Sequence, residues 1–187
     1  MKQLAKSSLR TALQLLLFVV IGTGLLALTY ELTREPIQAT EERAKMKLIS
    51  QIAPTSTYDN DIMQDTVLLA PDALLGNRDP VTGYRGYLKG APTLFILSAI
   101  APDGYAGKIN LIIAIRQDGS LGGVRVVSHS ETPGLGDYID IAKNSWITIF
   151  KGHSLSALKN RDWQVKKDGG VFDSKAGATI TPRAIVK

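Results

Sequence analysis

The chain has 187 residues, enough for one domain of ordinary size and an appendage, and it contains no cysteine. That excludes disulfides, thiol chemistry, cysteine-ligated iron–sulfur clusters and CxxC haem attachment, while His129 and His153 have no partner at metal-ligand spacing and read as surface or hydrogen-bonding side chains. The formal charge of +5 comes from 22 basic and 17 acidic residues, but Lys2, Lys6 and Arg10 precede the first apolar run, leaving 19 against 17 with no basic stripe, which argues against nucleic-acid binding.

From Thr11 to Tyr30 no residue is charged. A helix of about 20 residues just spans a hydrocarbon core of about 30 Å. A cleavable signal peptide is the alternative, but its apolar core is usually shorter, at about 7–15 residues, and ends at a small-residue site. Here the run ends in Thr29-Tyr30-Glu31-Leu32, with Tyr30 suited to the membrane interface. The expectation is an uncleaved single span over residues 11–30, with residues 1–10 cytoplasmic and the remainder on the opposite, periplasmic side of a bacterial inner membrane. Gln14 and Thr23 are mildly polar positions that could meet neighbouring transmembrane helices, though ordinary tolerated residues are the plainer reading.

After the span, Pro36 to Ile52 shows helical spacing through Ile37, Ala44, Leu48, Ile49 and Ile52, as a stalk continuing the anchor or a helix packed on the domain. Residues 55–65 are polar and turn-rich, so residues 31–65 read as helical stalk and linker and 66–187 as the exported domain. Leu94–Ile100, Ile109–Ile115 and Val124–Val127 are apolar runs of strand length, with turns at Pro102-Asp103-Gly104 and Asp118-Gly119. They predict an antiparallel meander with a well-buried central strand. Asp137–Phe150 has helical spacing, and Trp163–Val165 reads as a further strand before Gly169-Gly170. The class is α+β: one transmembrane helix, then an antiparallel-sheet domain with flanking helices.

Two loops carry candidate chemistry. In Glu131-Thr132-Pro133-Gly134-Leu135-Gly136, Pro133-Gly134 fits the centre of a type II turn, and Gly136 permits close approach of a ligand. Glu131 and Thr132 would offer an acceptor and a hydroxyl, and Leu135 an apolar contact for a flat heterocycle. Taken alone, an ordinary strand-to-helix connection is the plainer reading. The second loop is Asp173-Ser174-Lys175-Ala176-Gly177-Ala178-Thr179-Ile180-Thr181-Pro182-Arg183. Thr181 reads as a helix N-cap with Pro182 at the first helical position. Thr179 would then lie beside a helix N-terminus that favours phosphate, with Lys175 and Arg183 adding positive charge. Spacing alone equally fits a Gly-Ala turn before a capped helix, which is the commoner case. The sequence stops at Lys187, so that helix is very short or continues in a longer chain.

The anchor, the run Gly107–Gly119, the loop Glu131–Gly136 and the segment Asp173–Arg183 occur together in this order. In that combination the chain resembles the G subunits of Rnf-type electron transport complexes, ion-translocating ferredoxin:NAD oxidoreductases of bacterial membranes. It is similar, more distantly, to the C subunits of sodium-translocating NADH:quinone reductases. The resemblance implies a covalent FMN, whose phosphate a dedicated flavin transferase joins to a threonine hydroxyl. The family's attachment motif carried over here begins at Asp173 and ends at the acceptor Thr179. Ala176 stands where the family usually has a hydroxyl, a departure that leaves the acceptor in place. By the same resemblance Glu131, Thr132, Leu135 and Gly136 line the flavin, Gly177, Ala178 and Thr181 surround its phosphate end, and Lys166 is a further contact, with Tyr105 a candidate at the ring's border. The implied partners are other membrane subunits of the complex and the transferase. The rivals are the quinone-reductase subunit and a cofactor-free anchored adaptor.

Overall fold

The computed structural model describes residues 2–187 and the side chains of residue 6 and residues 8–187. Of the expected basic segment 1–10, Met1 and the side chains of residues 2–5 and 7 lie outside the described residues. Helix α1 runs Lys2–Ile52, and the chain divides into two compact units, up to Ala44 and from Lys45 to Lys187.

In the first unit, α1 is long and apolar enough to cross a membrane. Leu13, Phe18, Val19, Leu25 and Leu26 are all exposed, an apolar surface of the kind a bilayer covers. Two hydroxyls bond back to the helix backbone: Thr29 donates to the Leu25 carbonyl and Thr33 to that of Thr29, both at 2.8 Å. Such bonds satisfy polar groups within hydrocarbon. Pro36 lies inside the helix, and the Thr40 hydroxyl donates to its carbonyl at 2.7 Å.

In the second unit, five strands form an antiparallel meander: β1 (Thr66–Leu69), β2 (Val81–Leu88), β3 (Ala91–Gly104), β4 (Gly107–Arg116) and β5 (Leu121–Ser128), paired in chain order. The three apolar runs expected as strands are the cores of β3, β4 and β5. Strand β4 is central in the sense its sequence predicts, because it buries side chains on both faces. Ile109 and Leu111 join a core with Val124, Val126, Tyr138, Ile139, Trp146 and Phe150. Ile112 and Ala114 face the opposite core, with Tyr84, Leu94 and Ile96.

That second core also contains Ile49 and Ile52, so the last turns of α1 belong to the domain. Close approach is possible because β5 carries glycine there: a Cβ on Gly123 would lie 2.7 Å from Ile52 Cγ2. Arg125, buried on the same strand, donates to Gln51 Oε1 at 2.8 Å and to the Val124 carbonyl at 2.7 Å. Burial alone pushes its pKa down from the ordinary value.

Several local expectations are corrected. Pro102-Asp103-Gly104 is not the hairpin turn: β3 continues to Gly104, which pairs with Gly107, and the turn is Tyr105-Ala106. Pro102 and Asp103 fall where the register shifts, a place where a residue without an N–H costs no ladder bond. Asp137–Phe150 is not one α-helix but two 3₁₀ segments, Gly136–Ile139 and Ser145–Phe150. Between them Asp140 accepts from the Ala142 amide at 2.9 Å and Asn144 from the Trp146 amide at 2.8 Å. These side chains capture amides that a continuous helix would need. Trp163–Val165 forms no strand; it follows a 3₁₀ turn at Asn160–Asp162, and Val165 makes a single parallel bridge to Phe172 across a second one at Lys166–Asp168.

Truncating Ile112, which is 0% exposed, to alanine is expected to cost about 2–5 kcal/mol of domain stability. The exposed Val127→Ala should stay within about 0.5 kcal/mol. Denaturant midpoints of the detergent-solubilised chain check this; equal shifts for the two variants would contradict the burial of Ile112 in the core.

Candidate functional site

The short helix α2 (Ile180–Val186) begins two residues earlier than its Thr-Pro pair suggests, with Thr179 itself at the N-cap. The expected Thr181 cap is therefore corrected. The Thr181 hydroxyl turns away from its own helix and donates to Glu131 Oε2 at 2.5 Å. Glu131 comes from the loop after β5, fifty residues earlier. Its other oxygen, Oε1, accepts from the Ala106 amide at the tip of the β3–β4 hairpin, at 3.0 Å. Glu131 is 4% exposed and Thr181 1%, so both are committed to one another rather than presented at the surface.

Gly136 makes this possible. A Cβ there would lie 2.5 Å from Glu131 Oε2 and 2.9 Å from Thr181 Oγ1. The rest of the loop folds as its sequence suggests: Gly134 has φ +79°, its amide donates to Asp137 Oδ1 at 2.8 Å, and the Leu135 and Gly136 amides both donate to the Thr132 carbonyl. Thr132 is exposed and Leu135 is 53% exposed, so these two do face outward.

The segment leading to Thr179 is held by two aromatic side chains with polar handles. The Trp146 indole N–H donates to the Asp173 carbonyl at 2.6 Å. The Tyr138 hydroxyl donates to the Ala178 carbonyl at 3.3 Å and accepts from the Lys175 amide at 3.2 Å. Burial raises the Tyr138 pKa above its ordinary value against the opposing effect of the Lys175 bond, so the phenol stays protonated and able to donate. The rings pack edge to face, 5.5 Å between centroids. Between the two anchors, the Ala178 amide donates to the Lys175 carbonyl, closing a turn whose third residue, Gly177, has φ +82°. Ala176 and Gly177 are exposed on that turn.

Thr179 is partly exposed, and its hydroxyl makes no cap hydrogen bond. The amides of Ile180 and Thr181 follow in the first turn of α2, without acceptors inside the helix. Lys166 reaches the start of the motif, its ammonium 2.8 Å from Asp173 Oδ1. The Lys175 ammonium lies over the Tyr138 ring at 5.8 Å. Arg183 does not add free positive charge beside Thr179. Its guanidinium forks onto both oxygens of Asp168 and holds that carboxyl below its usual range.

An apolar cavity of about 940 Å³ lies elsewhere in the domain, lined by Leu97, Ile113, Leu121, Trp163 and Ile185 among others; Thr179 and Glu131 are not part of its wall. Tyr138 and Trp146 were missed as site residues by sequence reasoning. Their signal is an aromatic with a hydrogen-bonding tip in a segment otherwise packed into the core.

Two family matches cover the two ends of the chain: residues 1–52 match the RnfG N-terminal region and residues 104–187 the FMN-binding domain. A Vibrio cholerae protein, named as the G subunit of an ion-translocating oxidoreductase complex, is 44% identical over 177 residues, spanning 95% of this chain and 84% of the relative. A protein of the same name from Pseudomonas aeruginosa is 44% identical over 182 residues, 97% of this chain and 85% of the relative. One from Shewanella loihica is 41% identical over 181 residues, again 97% and 85%. Likeness at this level along nearly the whole chain, anchor and site loops included, means that the chain belongs to the family of G subunits of ion-translocating oxidoreductase complexes.

Proposed function

We propose that this protein is the membrane-anchored flavoprotein subunit of an Rnf-type ion-translocating electron transport complex, carrying FMN in phosphoester linkage to Thr179 and relaying electrons between neighbouring subunits. The observation that carries the attachment is the state of Thr179: a partly exposed N-cap hydroxyl not bonded to its own helix, at the end of a segment clamped by Tyr138 and Trp146. An N-cap hydroxyl ordinarily bonds to its own helix, so leaving it unused keeps the oxygen available to a phosphate. The two amides that follow, without acceptors in the helix, suit the negative charge a phosphoester retains.

In this reading Thr132 and Leu135 contact the ring, and Ala176, Gly177 and Ala178 leave room along the phosphate end. Glu131, Gly136 and Thr181 act from behind, fixing the loop to α2 so that both sides of the site keep one spacing. Lys166 holds the first residue of the attachment motif through Asp173. FMN supplies the electron chemistry, because it can take and give electrons singly, while the protein binds, orients and shields it. A covalent link prevents loss of the cofactor outside the cytoplasm. In this reading residues 11–30 span the membrane, residues 31–65 are the helical stalk and linker, and the exported domain is residues 66–187 together with the last turns of α1 that pack on it. Its partners are the other membrane subunits and a flavin transferase.

Mass spectrometry of the denatured, digested chain, co-expressed with an active transferase, should find FMN on the peptide containing Thr179. Thr179→Val should abolish the adduct and electron transfer while leaving the protein in the membrane. An unmodified wild-type Thr179 would return the chain to the adaptor reading, and retained electron transfer in Thr179→Val would exclude the relay.

Orientation has its own test. Alkaline phosphatase fused after Lys187 should be active, as that enzyme folds only outside the cytoplasm. An inactive phosphatase together with a fluorescent cytoplasm-restricted fusion at the same position would reverse the topology.

A further inference from the structure

His129 follows β5, is half-buried, and stands two residues before Glu131. The Glu131 amide donates to His129 Nδ1 at 3.0 Å. A ring nitrogen accepts a hydrogen bond only when it carries no proton, so this bond requires the tautomer with its proton on Nε2. The bond runs from the amide of residue i+2 to the side chain of residue i, the pattern by which asparagine and aspartate shape tight turns.

The consequence lies in what Glu131 does next. Its carboxylate spans from the Ala106 amide to the Thr181 hydroxyl, and Thr181 is the second residue of the helix that Thr179 caps. Glu131 is thus held at three points: its amide by His129 and its two oxygens by the hairpin tip and α2. The oxygens can swing about the side-chain torsions, whereas the amide bond fixes where those torsions start. We propose that His129, in its neutral Nε2–H form, is a positioning residue: it sets the backbone of Glu131 so that one carboxylate fixes the loop 131–136 against α2, and with it the spacing between that loop and Thr179. This rests on the reading of the loop and Thr179 as the flavin site.

The bond and its consequence are separable by experiment on the full-length chain in detergent, with and without FMN. Asparagine Oδ1 stands one bond beyond Cγ, as histidine Nδ1 does, so His129→Asn keeps an acceptor in place while His129→Ala removes it. In the FMN-free chain the Glu131 amide should exchange with deuterium on the order of tenfold faster in His129→Ala than in wild type, with His129→Asn close to wild type. In the FMN-loaded chain His129→Ala should shift the flavin's reduction midpoint and fluorescence, and His129→Asn should restore both. Nitrogen-15 NMR of the wild-type imidazole should show an unprotonated Nδ1, a result that does not depend on any variant folding.

A protonated Nδ1, or unchanged Glu131 exchange in His129→Ala, would remove the bond and overturn the proposal. Lost protection with an unchanged flavin signal would make His129 a turn residue with no bearing on the cofactor, which also overturns it. So would an asparagine variant as perturbed as the alanine one. If wild-type Thr179 carries no FMN, the flavin reading fails and the positioning role falls with it, while exchange and NMR still decide the His129–Glu131 bond.

Discussion

Removing a carboxylate from water costs several kcal/mol even after the protein relaxes, unless hydrogen bonds replace the lost hydration. Glu131 is buried, and its two oxygens meet one amide and one hydroxyl. That solution ties together three pieces of chain remote in sequence: the β3–β4 turn, the loop after β5, and α2. It also dictates neighbours. Position 136 must lack a Cβ, and position 181 must supply a short hydroxyl within a helix. Much of the loop's composition therefore follows from housing one charged group.

The aromatic side chains extend the same logic to the segment before Thr179. A surface segment rich in glycine and alanine has little apolar area to bury, so packing alone cannot hold it. Trp146 and Tyr138 bury their rings in the core and direct their polar tips to the Asp173 and Ala178 carbonyls. Behind them the ring contacts continue from Trp146 to Phe150, Phe172 and His153. The segment ahead of Thr179 is thus tied to the aromatic core, although its own side chains contribute little.

Strands β3 to β5 were legible because a continuous apolar run of strand length is a local signal, as at Ile109–Ile115, and Asp118-Gly119 marked its turn, whereas Pro102-Asp103-Gly104 marked a bulge in place of the turn. The anchor was legible from length and charge alone. The segment 137–150 was not, because apolar residues at helical spacing also suit two 3₁₀ turns, and the deciding signals were the amide-capturing Asp140 and Asn144. Thr181 illustrates a different limit. A threonine before proline has the local signature of a cap, and only a carboxylate fifty residues away diverts its hydroxyl. The residues of both site loops were visible as motifs, but that two of them would be buried against one another was a property of tertiary structure.

Strand β4 places a further constraint on how the domain works. Side chains at 109 and 111 face the core on which the segment before Thr179 rests, and those at 112 and 114 face the core built on Ile49 and Ile52 of α1. The same strand, and the glycines of β5 beside it, therefore bear on both the last turns of α1 and the candidate flavin site. Packed interiors have low compressibility, so the two faces of this strand cannot be repacked independently. A single sheet thus carries the end of α1 on one side and the segment before Thr179 on the other, with few intervening parts.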